Sequence, residues 1–250
     1  MATTRWSLAI GSHLLVVLAW YLWVTLGDVP AFVMPGPGRT LAALSEPYDW
    51  VHNTLVTAGE IFVGYLLAVA FGVGLAVLVT WSRWLDAAVM PLMVSLNMIP
   101  KVALGPLLIV WFSYGFWSNV LIAFTICFLP ILLTTARGLR EVEPDLLDLA
   151  RALRASRWQI FRKIQLPSAL PYVFSGMKVS VVLAVAGAVV GEFLASEEGL
   201  GYLMLQVQVT LDTAAMFMAV ILITLIGVVL YGLVVGLERL VLGPDLVLAE

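Results

Sequence analysis

Four ionisable side chains stand alone inside long apolar runs: Glu60, Lys101, Lys178 and Glu192. A charge at the centre of a membrane-spanning helix costs at least about 2.5 kcal/mol on insertion scales, so each needs a partner, a wet path or a function. Lys101 falls within "NMIPKVALGP", where Pro100 and Pro106 remove backbone donors and Gly105 loosens the helix. Asn97 precedes Lys101 by one turn and shares its helical face. Asn97, Lys101, Glu60, Lys178 and Glu192 are therefore candidates for lining a translocation pathway, with Lys101 as gate or substrate contact. The competing expectation pairs Lys101 with Glu60 or Glu192 merely to neutralise charge. Lys178, near the end of its run, can snorkel to the interface.

A second charged group has the opposite character. The stretch "DLARALRASRWQIFRKIQLPSALP" (148–171) concentrates arginines in a patterned, polar segment. Such a segment suits a protein partner's surface or, alternatively, anionic lipid headgroups. Catalytic chemistry finds no support. No G-x-x-x-x-G-K-[ST] phosphate loop occurs, Cys127 is the only cysteine, and His13 and His52 are isolated. No catalytic constellation and no metal ligand set is expected, and a net charge of −3 gives no reason to expect a nucleic-acid partner.

The elements that must position these residues follow from composition. Of 250 residues 62% are hydrophobic and 12% charged, with a mean hydropathy of +1.04. This is an all-α integral membrane protein: apolar runs near 7–26, 54–80, 87–112, 119–136, 172–194 and 214–237 predict about six spans in one transmembrane domain, residues 1–250, with a core over 54–240. The first run lacks a small-residue cleavage site and is read as a retained span. Arg5, Arg83, Arg239 and seven basic residues between 137 and 171 share one face, against Arg39 alone on the other. That bias makes the 137–171 loop and both termini cytoplasmic. On the outer side, 28–53 should hold a short interfacial helix near 38–46. Trp111, Phe112, Tyr114 and Trp117 form an aromatic belt, and Gly199 and Gly201 allow a tight turn after Glu192.

Within 137–171, Pro144 suits a first helical position, and Leu146, Leu149, Ala150 and Leu153 recur along one face. Ser156 and Gln159 make a capping-box pattern that opens a second helix carrying Trp158, Phe161 and Ile164. Pro167 is expected to end it and Pro171 to open the fifth span. Isolated helices this short are marginal, so the helix–turn–helix must pack on something.

These residues resemble the EAA motif, E-A-A-x-x-x-G and later I-x-L-P, of permease subunits of bacterial ATP-binding-cassette (ABC) importers. Asp148, Leu149 and Ala150 stand at Glu-Ala-Ala, Arg154 at the glycine, and Ile164, Leu166 and Pro167 at the ending. Ala155, Ser156 and Phe161 also match. Arg for Gly is the real departure, because glycine permits φ > 0 at that turn. "IPKVALGPLLIVWFSYG" (99–115), "PILLTTARGLREVEPDLLDLARALRASRWQIF" (130–161) and "VGEFLASEEGLGYLM" (190–204) look like the branch serving nitrate, sulfonates, taurine and pyrimidine vitamin precursors. The resemblance implies a type I importer permease in a bacterial inner membrane, paired with a second copy of itself. It also implies two ATPase subunits that bind ATP and Mg, and an extracytoplasmic solute-binding protein. Leu149, Leu153 and Trp158 would then enter a groove on the ATPase, with Asp148 and the arginines at its rim. Among solutes, an aminopyrimidine precursor is favoured. An ion-coupled secondary transporter or channel is the alternative, weakened by the patterned hairpin and the lack of internal repeats.

Overall fold

The computed structural model describes residues 2–243. The expected cytoplasmic placement of the termini bears on Met1 and residues 244–250, which lie outside the described residues. Every regular element among the described residues is helical. In chain order these are α1 (Ala2–Leu26), α2 (Pro37–Ala42) with a 3-10 turn (Ala43–Ser45), α3 (Trp50–Trp81) and α4 (Arg83–Asn97). A 3-10 turn (Lys101–Leu104) then leads to α5 (Gly105–Phe112) and α6 (Phe116–Arg140). The chain continues with α7 (Pro144–Ala152), α8 (Arg157–Ile160), a π-type turn (Phe161–Gln165), α9 (Leu166–Ala195), α10 (Leu200–Val209) and α11 (Thr213–Leu242).

Four helical stretches are long and apolar enough to cross a membrane: Trp50–Trp81, Phe116–Arg140, Arg157–Leu194 and Thr213–Leu242. The α4/α5 pair forms a broken span or re-entrant loop, and α1 contributes the shorter apolar stretch Gly11–Leu26. In the centre, α6 packs between α3 and α9, with α11 against α9. Their shared core includes Ile61, Tyr65, Ile131, Phe174, Val181 and Leu230. Lipid gives little hydrophobic reason for helices to associate, so close packing and interhelical hydrogen bonds carry that role. A Cβ at Gly176 would lie 2.0 Å from Thr134 Oγ1, and one at Gly187 2.8 Å from Ala123 Cα. The Tyr65 hydroxyl donates to Met177 O at 3.1 Å, and Ser180 Oγ to Cys127 O at 3.1 Å.

The third span is broken by 87° at the segment expected to interrupt it. Two features differ from the sequence expectation. Neither Pro167 nor Pro171 interrupts the chain: α8, the π-type turn and α9 run as one 38-residue helix, Arg157–Leu194. A π-type turn loosens the backbone ladder locally, which lets a helix carry a residue without an N–H donor. Finally, residues 200–209, expected only as part of a turning loop, form α10.

Candidate functional site

The chemistry-bearing residues divide between the two ends of the bundle. At the hairpin end, Glu143 precedes Pro144 in the first turn of α7, and the expected capping box is present: Gln159 N–H donates to Ser156 Oγ at 3.2 Å, and Ser156 N–H to Gln159 Oε1 at 2.8 Å. Between them, Arg154 N–H donates to Arg151 O at 2.9 Å and Ala155 N–H to Ala150 O at 3.0 Å, a Schellman ending with Arg154 at φ 57°. The turn thus keeps the conformation that glycine favours, and Arg154 adopts it at a cost of about 1 kcal/mol.

The hairpin's faces are now distinct. Leu146, Leu149 and Leu153 turn outward, the last two 58% and 75% exposed, as do Asp148, Arg154, Ser156 and Trp158. Asp148 holds Arg151 at 2.7 Å. Ala155 is half-buried. Ala150 and Phe161, expected to share the docking face, are instead buried. The Phe161 ring stacks on Trp158, with centroids 5.6 Å apart, and meets Trp81 edge-on at 5.4 Å. It fastens the hairpin to the end of α3.

At the broken span, Lys101 opens the 3-10 turn, and its Nζ donates to Asn97 O at 2.7 Å and to Asn97 Oδ1 at 2.5 Å. The shared face is as expected, but the pairing of Lys101 with Glu60 or Glu192 does not occur. A cavity of about 260 Å³ lies beside it, walled by Leu75, Met93, Phe124, Phe128, Thr125 and Lys101 among others. It is apolar and aromatic with one cation at its edge.

Glu60 and Glu192 lie together at the opposite end, essentially without exposure, where α3, α6, α9 and α10 meet. Thr57 Oγ1 donates to Glu192 Oε1 at 2.6 Å and accepts from Leu200 N–H at 2.8 Å. Gly201 N–H donates to Glu192 Oε2. Glu192 therefore satisfies amides at the start of α10, directly at Gly201 and through Thr57 at Leu200. Asn119 Nδ2 donates to Glu60 Oε1 at 2.8 Å, and the Glu60 and Glu192 carboxyl groups are hydrogen-bond neighbours. Gly199, at φ 103°, admits the arrangement: a Cβ there would lie 2.5 Å from the Glu192 carboxyl. Asn53 Oδ1 accepts from Gly199 N–H at 2.8 Å, and His52 meets Glu198 at 3.0 Å.

Lys178 is the other correction. It does not snorkel but pairs with Glu238 of α11 at 3.0 Å, the two side chains 17% and 7% exposed. Glu238 was missed because it falls just beyond the sixth apolar run, and nothing local ties it to residue 178. Thr57 and Asn119 were also missed, since single polar residues in apolar helices are common.

The profile of the family "Binding-protein-dependent transport system inner membrane component" matches residues 68–243. The chain belongs to this family. It is an ABC importer permease, and its relatives serve small solutes. The riboflavin transport system permease protein RibX of Chloroflexus aurantiacus is 39% identical over 91% of this permease and 86% of its own length. The formylaminopyrimidine transport permease protein ThiX of Halalkalibacterium halodurans is 30% identical over 92% of both chains. Among solved structures, an inward-facing form of the MetNI methionine ABC transporter superposes with a TM-score of 0.67 at 20% identity, covering 78% of this permease and 98% of that chain. That likeness extends to the fold.

Proposed function

We propose that this permease forms the translocation path of an importer whose ATPase subunits dock on the α7/α8 hairpin from the cytoplasm. The observation that carries this reading is the outward Leu146, Leu149 and Leu153 face on a hairpin joined to the membrane by one unbroken helix. An apolar stripe with charged neighbours is what a groove on a partner protein accepts. Because Arg157–Leu194 is continuous, a pull on the hairpin tilts α9, and with it the α3 and α6 helices packed on it. The ATPases hold and hydrolyse ATP with Mg; the permease is a non-catalytic transport subunit. A second copy of the permease completes the path, a solute-binding protein delivers the solute, and the hairpin, like both termini, faces the cytoplasm.

For the solute, the cavity at the broken span favours a small planar heterocycle. Phe124 and Phe128 offer stacking faces, while Lys101 and Thr125 offer polar contacts at the rim. RibX and ThiX are named for solutes of this class. Sulfonate, taurine and nitrate are the competing solutes. Asn97 and Lys101 are the pathway residues, with Lys101 held by Asn97 in the present state.

The test is uptake into vesicles holding the reconstituted importer. Replacing Leu149 and Leu153 together by serine should abolish ATP-dependent uptake and ATPase retention while the permease stays folded. Uptake that persists in that variant, or that follows a proton gradient without ATP, overturns the reading.

A further inference from the structure

A second cavity, of about 740 Å³, lies at the hairpin end and separates the end of α3 from the hairpin. Its walls are Thr80, Trp81, Ser82 and Trp84 from the α3–α4 corner, Leu147 and Arg151 from α7, and Arg157, Ile160, Phe161 and Gln165 from the α8 side. Two guanidinium-bearing residues contribute to it, and no carboxylate-bearing residue does. Arg151 has Asp148 beside it, whereas Arg157 has no ion-pair partner among the described residues. The adjoining hydroxyl and amide groups of Thr80, Ser82 and Gln165 can complete an oxyanion's coordination.

The cavity is separate from the docking face. At about 100° per residue, Leu147 and Arg151 point to one side of α7, and Leu146, Leu149 and Leu153 to roughly the opposite side. An ATPase covering the leucines would leave the cavity open. Its position explains what could enter: α3 is a 32-residue apolar helix long enough to cross a membrane, and the cavity lies at the last turn of that helix. Trp81 and Trp84 mark the spot, 48% and 88% exposed, in the manner of indoles at a bilayer interface.

From this juxtaposition we infer that the cavity binds the phosphate of an anionic phospholipid headgroup, held by Arg151 and Arg157 with the acyl chains lying along α3. The neighbouring cations Arg162 and Lys163 are exposed and do not line it. A lipid seated here braces the hairpin against the span end, on the membrane side of the ATPase contact.

Native mass spectrometry of the detergent-purified permease, titrated with short-chain phosphatidylglycerol or phosphatidylcholine, tests this. At about 1 kcal/mol per arginine, the Arg151→Gln/Arg157→Gln variant should retain phosphatidylglycerol roughly thirtyfold less well, with an unchanged melting temperature. Phosphatidylcholine retention should be weak in both proteins. The Arg162→Gln/Lys163→Gln variant, equal in charge removed, should retain phosphatidylglycerol like the parent. Equal retention by the two double variants overturns the site, because the attraction would then belong to the charged surface at large. Displacement of the lipid by millimolar inorganic phosphate that itself binds through the same arginines overturns the lipid as occupant and assigns the cavity to a free anion.

Discussion

The two ends of this bundle handle charge in opposite ways. At the hairpin end, Asp148, Arg151, Arg154 and Arg157 are exposed, and the local fold rests on backbone caps only a few residues apart. At the other end, Glu60 and Glu192 are sealed among four helices, and their partners Thr57, Asn119 and Gly201 come from three of them. The first arrangement leaves charge free for a partner. The second commits its polar groups to hydrogen bonds that hold α10 in place. Two groups of ionisable residues in one apolar chain thus have different purposes, and burial with hydrogen bonding distinguishes them.

The comparison can be broken most severely at Gly199. Alanine there meets the Glu192 carboxyl and an unfavourable φ together, so Gly199→Ala should cost about 3 kcal/mol and lower the melting temperature in detergent. A variant as stable as the parent would show that the Glu192 anchor is dispensable. At the hairpin end, by contrast, Leu153→Ser should leave the melting temperature unchanged and weaken ATPase binding by about tenfold, near 1.4 kcal/mol, measured by titration of the purified subunits. A fall in stability instead would mean that the leucine packs within its own chain.

Smaller effects sharpen the contrast. Arg154→Gly should stabilise the hairpin by about 1 kcal/mol, read as slower hydrogen exchange of the Ala155 amide, because the turn already has glycine's conformation. At the opposite end, the Tyr48 hydroxyl donates to Asp212 Oδ2 at 2.7 Å, and that bond pushes the Tyr48 pKa up to about 12. A raised pKa means the stabilisation is full below the unfolded value of about 10 and is lost as pH rises from there to about 12. Tyr48→Phe should cost about 1 kcal/mol at neutral pH and remove that alkaline loss, seen in melting curves against pH.

Legibility in the sequence followed the same division. Pro144, the Ser156–Gln159 capping box and the apolar stripe of α7 are patterns within a few residues, so the hairpin could be read directly. Ala150 and Phe161 were placed on the wrong side because periodicity identifies a face without saying what covers it. Pro167 suggested a stop and Pro171 a new start since a proline removes a donor, and the π-type turn that precedes Pro167 leaves no compositional mark. The anchors at Glu192 and Lys178 depend on Thr57 and Glu238, 135 and 60 residues away in sequence. Such pairs are set by helix packing and are invisible to local pattern.

The central claim is that the outward leucine face of the hairpin is covered by an ATPase. Cys127, the only cysteine, is buried, so Leu153→Cys supplies one accessible thiol for maleimide labelling. Labelling should be fast in the free permease and strongly suppressed once its ATPase subunits are bound. Equal labelling rates in the free and assembled permease would contradict the account.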